Sequence, residues 1–143
     1  MVVVEVALKS FIANFDSNLA FISEASAAAL PDENVAILNL GIKLSELLLE
    51  ESPDKRKYSI SNHIKSILSN IKRQCVLVDR IELLFNPEYD LDIVKLFARV
   101  ARNKKIIVVW PGTIASDEMV YSEPQYDDYR KYSVSERDIT ILK

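Results

Sequence analysis

Cys75-Val76-Leu77-Val78-Asp79, followed by Arg80-Ile81-Glu82-Leu83-Leu84-Phe85, decides how the rest of the chain is read. The apolar run closed by an acid reads as a buried strand with a carboxylate at its exit. In α/β proteins that hydrolyse nucleotides, such an Asp orients a hydrated Mg²⁺. That chemistry also needs a Gly-rich loop ending in Gly-Lys-Ser/Thr, whose backbone amides cradle the phosphates. The chain has two glycines, Gly41 and Gly112, and neither lies in such a loop. Half of a nucleotide site is present, and the half that binds phosphate is missing.

Outward from this strand, apolar runs alternate with helical patterns. Val4, Leu8, Phe11, Ile12 and Phe15 recur at helical spacing, and predict an amphipathic helix. Leu19 to Ser23 is a candidate strand. The Ala-rich segment from Glu24 to Leu30 favours helix and stops at Pro31. Val35 to Leu40 is a second strand, and Gly41 opens a helix carrying Ile42, Leu44, Leu47, Leu48 and Leu49. The polar stretch from Glu51 to Lys57 reads as a loop. A helix with Ile60, Ile64, Ile67, Leu68 and Ile71 on one face follows. Beyond the Cys75–Asp79 strand, Asn86-Pro87-Glu88 is a break. Leu91, Ile93, Val94, Leu96, Phe97 and Val100 then form an amphipathic helix. Ile106 to Trp110 is a fourth strand, stopped by Pro111-Gly112. Met119 to Tyr121, Tyr132 to Val134 and Ile139 to Leu142 are short candidate edge strands. The expected fold is a single α/β domain over 1–143, with a Tyr-rich C-terminal extension from about 119 to 143. It has three layers: a mostly parallel sheet of about five strands, helices on both faces, and short extra strands at the C-terminus.

Composition narrows the function classes. The chain has 143 residues, 49% apolar and 27% charged, which suits one folded domain. A net charge of −3 gives no case for broad attraction to nucleic acid or membrane, though local Lys/Arg patches remain open. Cys75 is the single cysteine, so there is no disulfide framework and no Cys-based metal cluster. No apolar stretch approaches the roughly 20 residues that span a bilayer. Met1-Val2-Val3-Val4 meets Glu5 with no basic lead, so a cytoplasmic protein is expected. There is no Ser/His/Asp signature and no His/Cys ligand spacing. His63 lies on a helix away from any nucleophile signature.

Asp79 is the sharpest site residue. It either holds a metal-bound water beyond the strand's carboxyl end, or caps the loop or pairs with Arg80 or Arg102. Arg80 stands where a hydrolytic Glu usually follows the Asp, and Glu82 comes three residues later. Arg99, Arg102, Lys104 and Lys105 form one basic cluster. Arg can reach a phosphate across a subunit boundary, and a helix C-terminus favours Lys and Arg in any case. Trp110, Tyr121, Tyr126, Tyr129 and Tyr132 are candidates for a contact surface, with Arg99 and Arg102 nearby. The competing reading is that these rings fold back over their own sheet.

Several blocks resemble a known family. Leu77 to Glu88 is similar to the second nucleotide motif of the BrxF proteins, small P-loop-type members of type 3 BREX anti-phage systems. Ala98 to Gly112, ending Trp110-Pro111-Gly112, resembles their next block. Val120 to Pro124 and Tyr126-Asp127-Asp128-Tyr129-Arg130-Lys131-Tyr132 resemble their Tyr-rich tail, and Ile37 to Leu48 the segment after their phosphate loop. The resemblance spans 35 to about 132 and implies a P-loop NTPase-like fold in an accessory component of antiviral defence. It breaks at Glu24-Ala25-Ser26-Ala27-Ala28-Ala29-Leu30, which has no Gly and no Lys where the family carries both. No phosphate-binding residue therefore carries over, and Asp79 alone remains as a metal-site remnant. The expectation is a non-catalytic accessory protein with a degenerate Walker A region, no catalytic residues and no cofactor. Its expected partners are proteins of a defence system or further copies of the chain, with nucleic acid met only indirectly or weakly and no membrane. The alternatives are an ATPase using ATP and Mg²⁺ through an atypical or subunit-shared phosphate site, and an assembly or nucleic-acid-associated adaptor unrelated to defence.

Overall fold

The computed structural model describes residues 4–13, 18–28, 34–102 and 104–142. In chain order these form β1 (Val4–Val6), α1 (Leu8–Ala13), β2 (Leu19–Ser23), α2 (Glu24–Ala27), β3 (Val35–Asn39), α3 (Leu40–Leu49), α4 (Arg56–Ser69) and β4 (Cys75–Asp79). Two 3₁₀ turns, Glu82–Phe85 and Pro87–Tyr89, lead to α5 (Ile93–Val100), β5 (Lys105–Trp110), β6 (Thr113–Ala115), β7 (Glu118–Tyr121), β8 (Arg130–Ser133) and β9 (Thr140–Leu142). One sheet has the order β1-β9-β2-β5-β4-β3, and every ladder in it is parallel. The strands β6, β7 and β8 make a separate antiparallel sheet.

The central strands are continuous apolar runs because both of their faces are covered. In β4, Val76 and Val78 join one cluster, and Cys75 and Leu77 join the other. The first cluster is the larger. Its helices repeat an apolar residue every fourth position, which keeps one stripe facing inward. Leu40, Leu44 and Leu48 of α3, and Ile60, Ile64 and Leu68 of α4, are buried there. They are joined by Ile93, Val94, Leu96, Phe97 and Val100 of α5. The second face is covered more thinly, by Phe11 of α1 and by Ala27 of α2. On that face the edge-strand residue Ile37 is 68% exposed.

The α/β architecture and the parallel sheet with helices on both faces are as expected; the N-terminal segment and the C-terminal strands are not, with β7 and β8 joining the unexpected strand β6 in a sheet of their own instead of edging the main one. The N-terminal segment is not one helix. Val4–Val6 is a strand, and the helix is limited to Leu8–Ala13; Phe15 lies outside the described residues, as do Ala29 to Pro31. Helical spacing is a local signal, and here it loses to a parallel ladder in which Val4, Glu5 and Val6 face Thr140, Ile141 and Leu142. The other difference is the C-terminal strand. Thr140–Leu142 is not an edge; β9 lies between β1 and β2 and pairs with both. The large sheet therefore has six strands.

The small sheet closes over the carboxyl end of β5. Its first hairpin turns at Ser116 (φ 52°) and Asp117 (φ 68°), the two left-handed residues that a tight two-residue hairpin requires. The Asp117 carboxylate accepts hydrogen bonds from the Ser135 N–H, the Ser135 hydroxyl and the Ser133 hydroxyl. The Ser135 hydroxyl most of all, against the opposing effect of burial, holds Asp117 below the usual carboxylate range. These bonds fix the chain as it leaves β8 for β9.

Candidate functional site

Parallel sheets bind ligands beyond the carboxyl ends of their strands. Here those ends bear Ser23 on β2, Trp110 on β5, Asp79 on β4 and Asn39 on β3, with Ser23 facing Trp110 and Asn39 facing Asp79 in the ladders. A cleft of about 380 Å³ opens at this end, on the thinly covered face. Glu24, Ala27, Ala28, Ile37, Leu77, Asp79, Arg80 and Val109 line it.

Two strands pass into helices here with no connecting residue. β2 ends at Ser23 and α2 begins at Glu24, with the Ser23 hydroxyl accepting the Ser26 N–H at 3.2 Å. β3 ends at Asn39 and α3 begins at Leu40, with the Asn39 side-chain oxygen accepting the Ile42 N–H at 3.1 Å. Each strand thus ends in its own helix cap. At Ser23 the cap occupies an amide that would otherwise be available to an anion, and Glu24 adds an exposed acid beside it.

Asp79 is partly buried and lines the cleft, and its Oδ1 accepts the Arg80 N–H at 2.9 Å. Of the readings the sequence left open, this is the loop cap. Arg80 has φ 60°, in the left-handed region that non-glycine residues seldom occupy. Its carbonyl oxygen approaches α3 so closely that a Cβ placed on Gly41 would sit 3.0 Å from it. Gly41 is thus spacing between β4 and α3. Among the described residues, no group of three or more His, Cys, Asp and Glu side chains is placed to hold a metal. Asp79 brings a single carboxylate to the cleft, opposite Glu24 and beside Arg80, with apolar side chains between.

The predicted contact surface does not hold together. Trp110 is fully buried, edge-on to Phe21, Phe85 and Tyr132, and its indole N–H donates to the Val120 carbonyl at 3.1 Å. Tyr132 is buried as well, and its hydroxyl accepts the Ile93 N–H at 3.1 Å. Burial raises the Tyr132 pKa. Neither residue has surface to offer a partner, which corrects their assignment as contact residues. A buried Trp or Tyr needs a partner for its polar tip, and both find one inside the fold. Tyr121 is half-buried and stacked on Phe85 at 4.0 Å between ring centres, and burial raises its pKa too. Tyr129 is partly buried, whereas Tyr126 is 57% exposed.

Trp110-Pro111-Gly112 follows the same logic. A Cβ on Gly112 would lie 1.8 Å from the Val120 carbonyl oxygen, so the chain can turn beneath β7 only without a side chain there. Arg99 and Arg102 are not near these rings. Arg102 precedes β5 and Trp110 ends it, so the basic cluster lies at the amino end of the sheet and the aromatic cluster at the carboxyl end. Arg99 and Arg102 line a second cleft, with Lys65, Ser69, Val100 and Lys104.

Sequence reading missed what joins the tail to the main sheet. Asp92 caps α5 by accepting the Lys95 N–H at 3.0 Å. Arg137 donates to both Asp92 carboxylate oxygens at 2.8 Å, and its guanidinium lies 5.2 Å from the centre of the Tyr132 ring. Burial pushes the Asp92 carboxyl up, but the hydrogen bonds from Arg137 and from the Lys95 N–H, with the charges of both residues, hold it below the usual range. An Asp before an apolar run is a readable cap signal. Arg137, 45 residues further on, leaves no such signal.

Comparison of the chain with protein-family models, with curated proteins and with solved structures finds no match in any of the three.

Proposed function

We propose that this chain is a non-catalytic accessory protein on a nucleotide-hydrolase-like α/β frame, acting through protein partners in antiviral defence of the BREX kind. The junction of β2 and α2 carries the first part of this reading. A phosphate cradle needs a loop there with free amides. The chain instead has no connecting residue, a self-capping Ser23 and an acid at Glu24. The defence setting rests on the resemblance of residues 77–88 and 98–112 to BrxF proteins.

One observation favours an ATPase instead. Asp79 stands at the carboxyl end of a central parallel strand, lines a cleft, and is followed by the strained Arg80. A phosphate site completed by another subunit would make use of that placement. Calorimetric titration with ATP and Mg²⁺ separates the two readings. The accessory reading expects no heat of binding up to millimolar nucleotide. A micromolar dissociation constant, together with phosphate release, both lost in Asp79→Ala, would establish the ATPase reading. Phage plating on the host with the gene deleted tests the defence role, and unchanged plating efficiency for every phage tried would remove it.

A further inference from the structure

Eleven of the 18 Lys and Arg residues fall in two stretches that contain no Asp or Glu: six between residues 55 and 78, and five between 93 and 116. The first stretch contains α4 and the second contains α5, and the two helices pack together. A cleft of about 370 Å³ lies between their C-terminal halves, lined by Lys65, Ser69, Arg99, Val100, Arg102 and Lys104. No acid lines it. Lys104 is committed to structure, because its ammonium donates to the Ile71 and Arg73 carbonyls. Lys65, Arg99 and Arg102 are exposed, and none makes an ion pair among the described residues.

Helix dipoles do not account for this cluster. α4 ends at Ser69 and α5 at Val100, so both negative ends lie here. Each is equivalent to about half an elementary charge. Together they offset about one of the four cations and leave the cleft strongly positive. The chain as a whole carries −3, so this positive region is local and not a result of net charge.

The lining indicates the ligand class. Protein interfaces are depleted in Lys and enriched in aromatic residues, Met and Arg. Sites for single-stranded nucleic acid present rings on which bases stack. The cleft shares the Arg of such interfaces, but among the described residues its lining has no ring and no Met and carries two Lys; Lys, Arg and a Ser hydroxyl are the groups that contact phosphate oxygens of a duplex. We infer that the cleft between α4 and α5 binds the phosphodiester backbone of duplex DNA, with Lys65, Arg99 and Arg102 contacting phosphates. This activity is independent of the accessory role proposed above and uses the opposite end of the sheet from the Asp79 cleft.

The test is fluorescence anisotropy with a labelled duplex of mixed sequence. Three phosphate contacts give a salt slope of about −2.7, so affinity falls about 40-fold between 50 and 200 mM salt. The double substitution Arg99→Ala/Arg102→Ala should weaken binding about tenfold or more and reduce the slope by about two. Lys65→Glu, an exposed change on the other helix, should weaken binding similarly, and unchanged binding would overturn a cleft shared by the two helices. The control is Lys55→Ala/Lys57→Ala, which changes net charge equally at the far end of α4. Along the helix that end lies about 12–15 Å from Lys65 and about 20 Å from Ser69, beyond the screening length of about 10 Å, so the effect should stay below about twofold. Thermal melts establish that each variant is folded. Four further outcomes overturn the inference: no binding of the wild type at 50 mM salt, equal losses in the two double variants, tighter binding of single-stranded DNA, or Arg-dependent binding of poly-glutamate as tight as that of the duplex. The last would assign the cleft to an acidic protein.

Discussion

The two ends of the parallel sheet are built on opposite plans. At the carboxyl end, polar and aromatic groups are used within the fold. Ser23, Asn39 and Asp79 cap their own backbones, and the Trp110 and Tyr132 tips bond to Val120 and Ile93. At the amino end, Lys65, Arg99 and Arg102 surround a cleft with no acid in its lining among the described residues. A strand-end position is chemically available only if its groups are not consumed by caps and packing. The end where parallel sheets usually bind ligands is here largely self-satisfied.

The comparison breaks first at Trp110. Trp110→Ala should destabilise by about 4 kcal/mol, the cost of a large buried aromatic, measured by urea denaturation. A loss below about 1 kcal/mol would mean that the ring is not in the core and that the carboxyl end is free for contact. Gly112→Ala comes next. With Val120 O 1.8 Å from the new Cβ, relief requires moving backbone, and about 3 kcal/mol is expected. A variant as stable as the wild type would show that β6 and β7 do not lie against the Trp110 turn as described.

A smaller effect tests the tie between the tail and α5. Arg137→Ala removes the partner of Asp92 and should cost about 1–2 kcal/mol, the range for loss of a charged hydrogen bond at a helix cap. The pH dependence has a definite sign. Asp92 is depressed in the folded state, so its contribution is present above the unfolded carboxylate pKa and is lost as pH falls through the lower folded value. Arg137→Ala should therefore lose less stability than the wild type on acidification below about pH 4. Identical acid profiles for the two proteins would exclude a role for the pair. Asp79→Ala is expected to have the smallest effect, at most about 1 kcal/mol, because it removes one bond to a neighbouring N–H at a partly exposed position. A larger loss would show that the Asp79 turn is structurally central.

Much of the α/β frame is legible in single residues. The Cys75–Asp79 run, the every-fourth-residue stripes of α3 and α4 and the Ile106–Trp110 strand all carry strong local periodicity. The candidate site was half legible. Absence of Gly and Lys from Glu24 to Leu30 argues against a phosphate loop, but that Ser23 and Asn39 end their strands as caps is visible only in the folded chain. For Trp110 and Tyr132 the packing alternative is the one realised, while Tyr126 stays exposed; Trp and Tyr have the same composition signal whether they anchor an interface or fill a core.

By itself the sequence determined the alternation of strands and helices, the missing phosphate loop and two acid-free basic stretches, since each is a property of neighbouring residues. Only the tertiary structure decided that β9 enters the sheet between β1 and β2 and that Arg137 reaches Asp92. It also decided that Trp110 and Tyr132 are buried, and that Lys65 of α4 shares a cleft with Arg99 and Arg102. These pairings join segments tens of residues apart. Which of them forms depends on how much apolar surface the whole chain buries, and no local pattern records that.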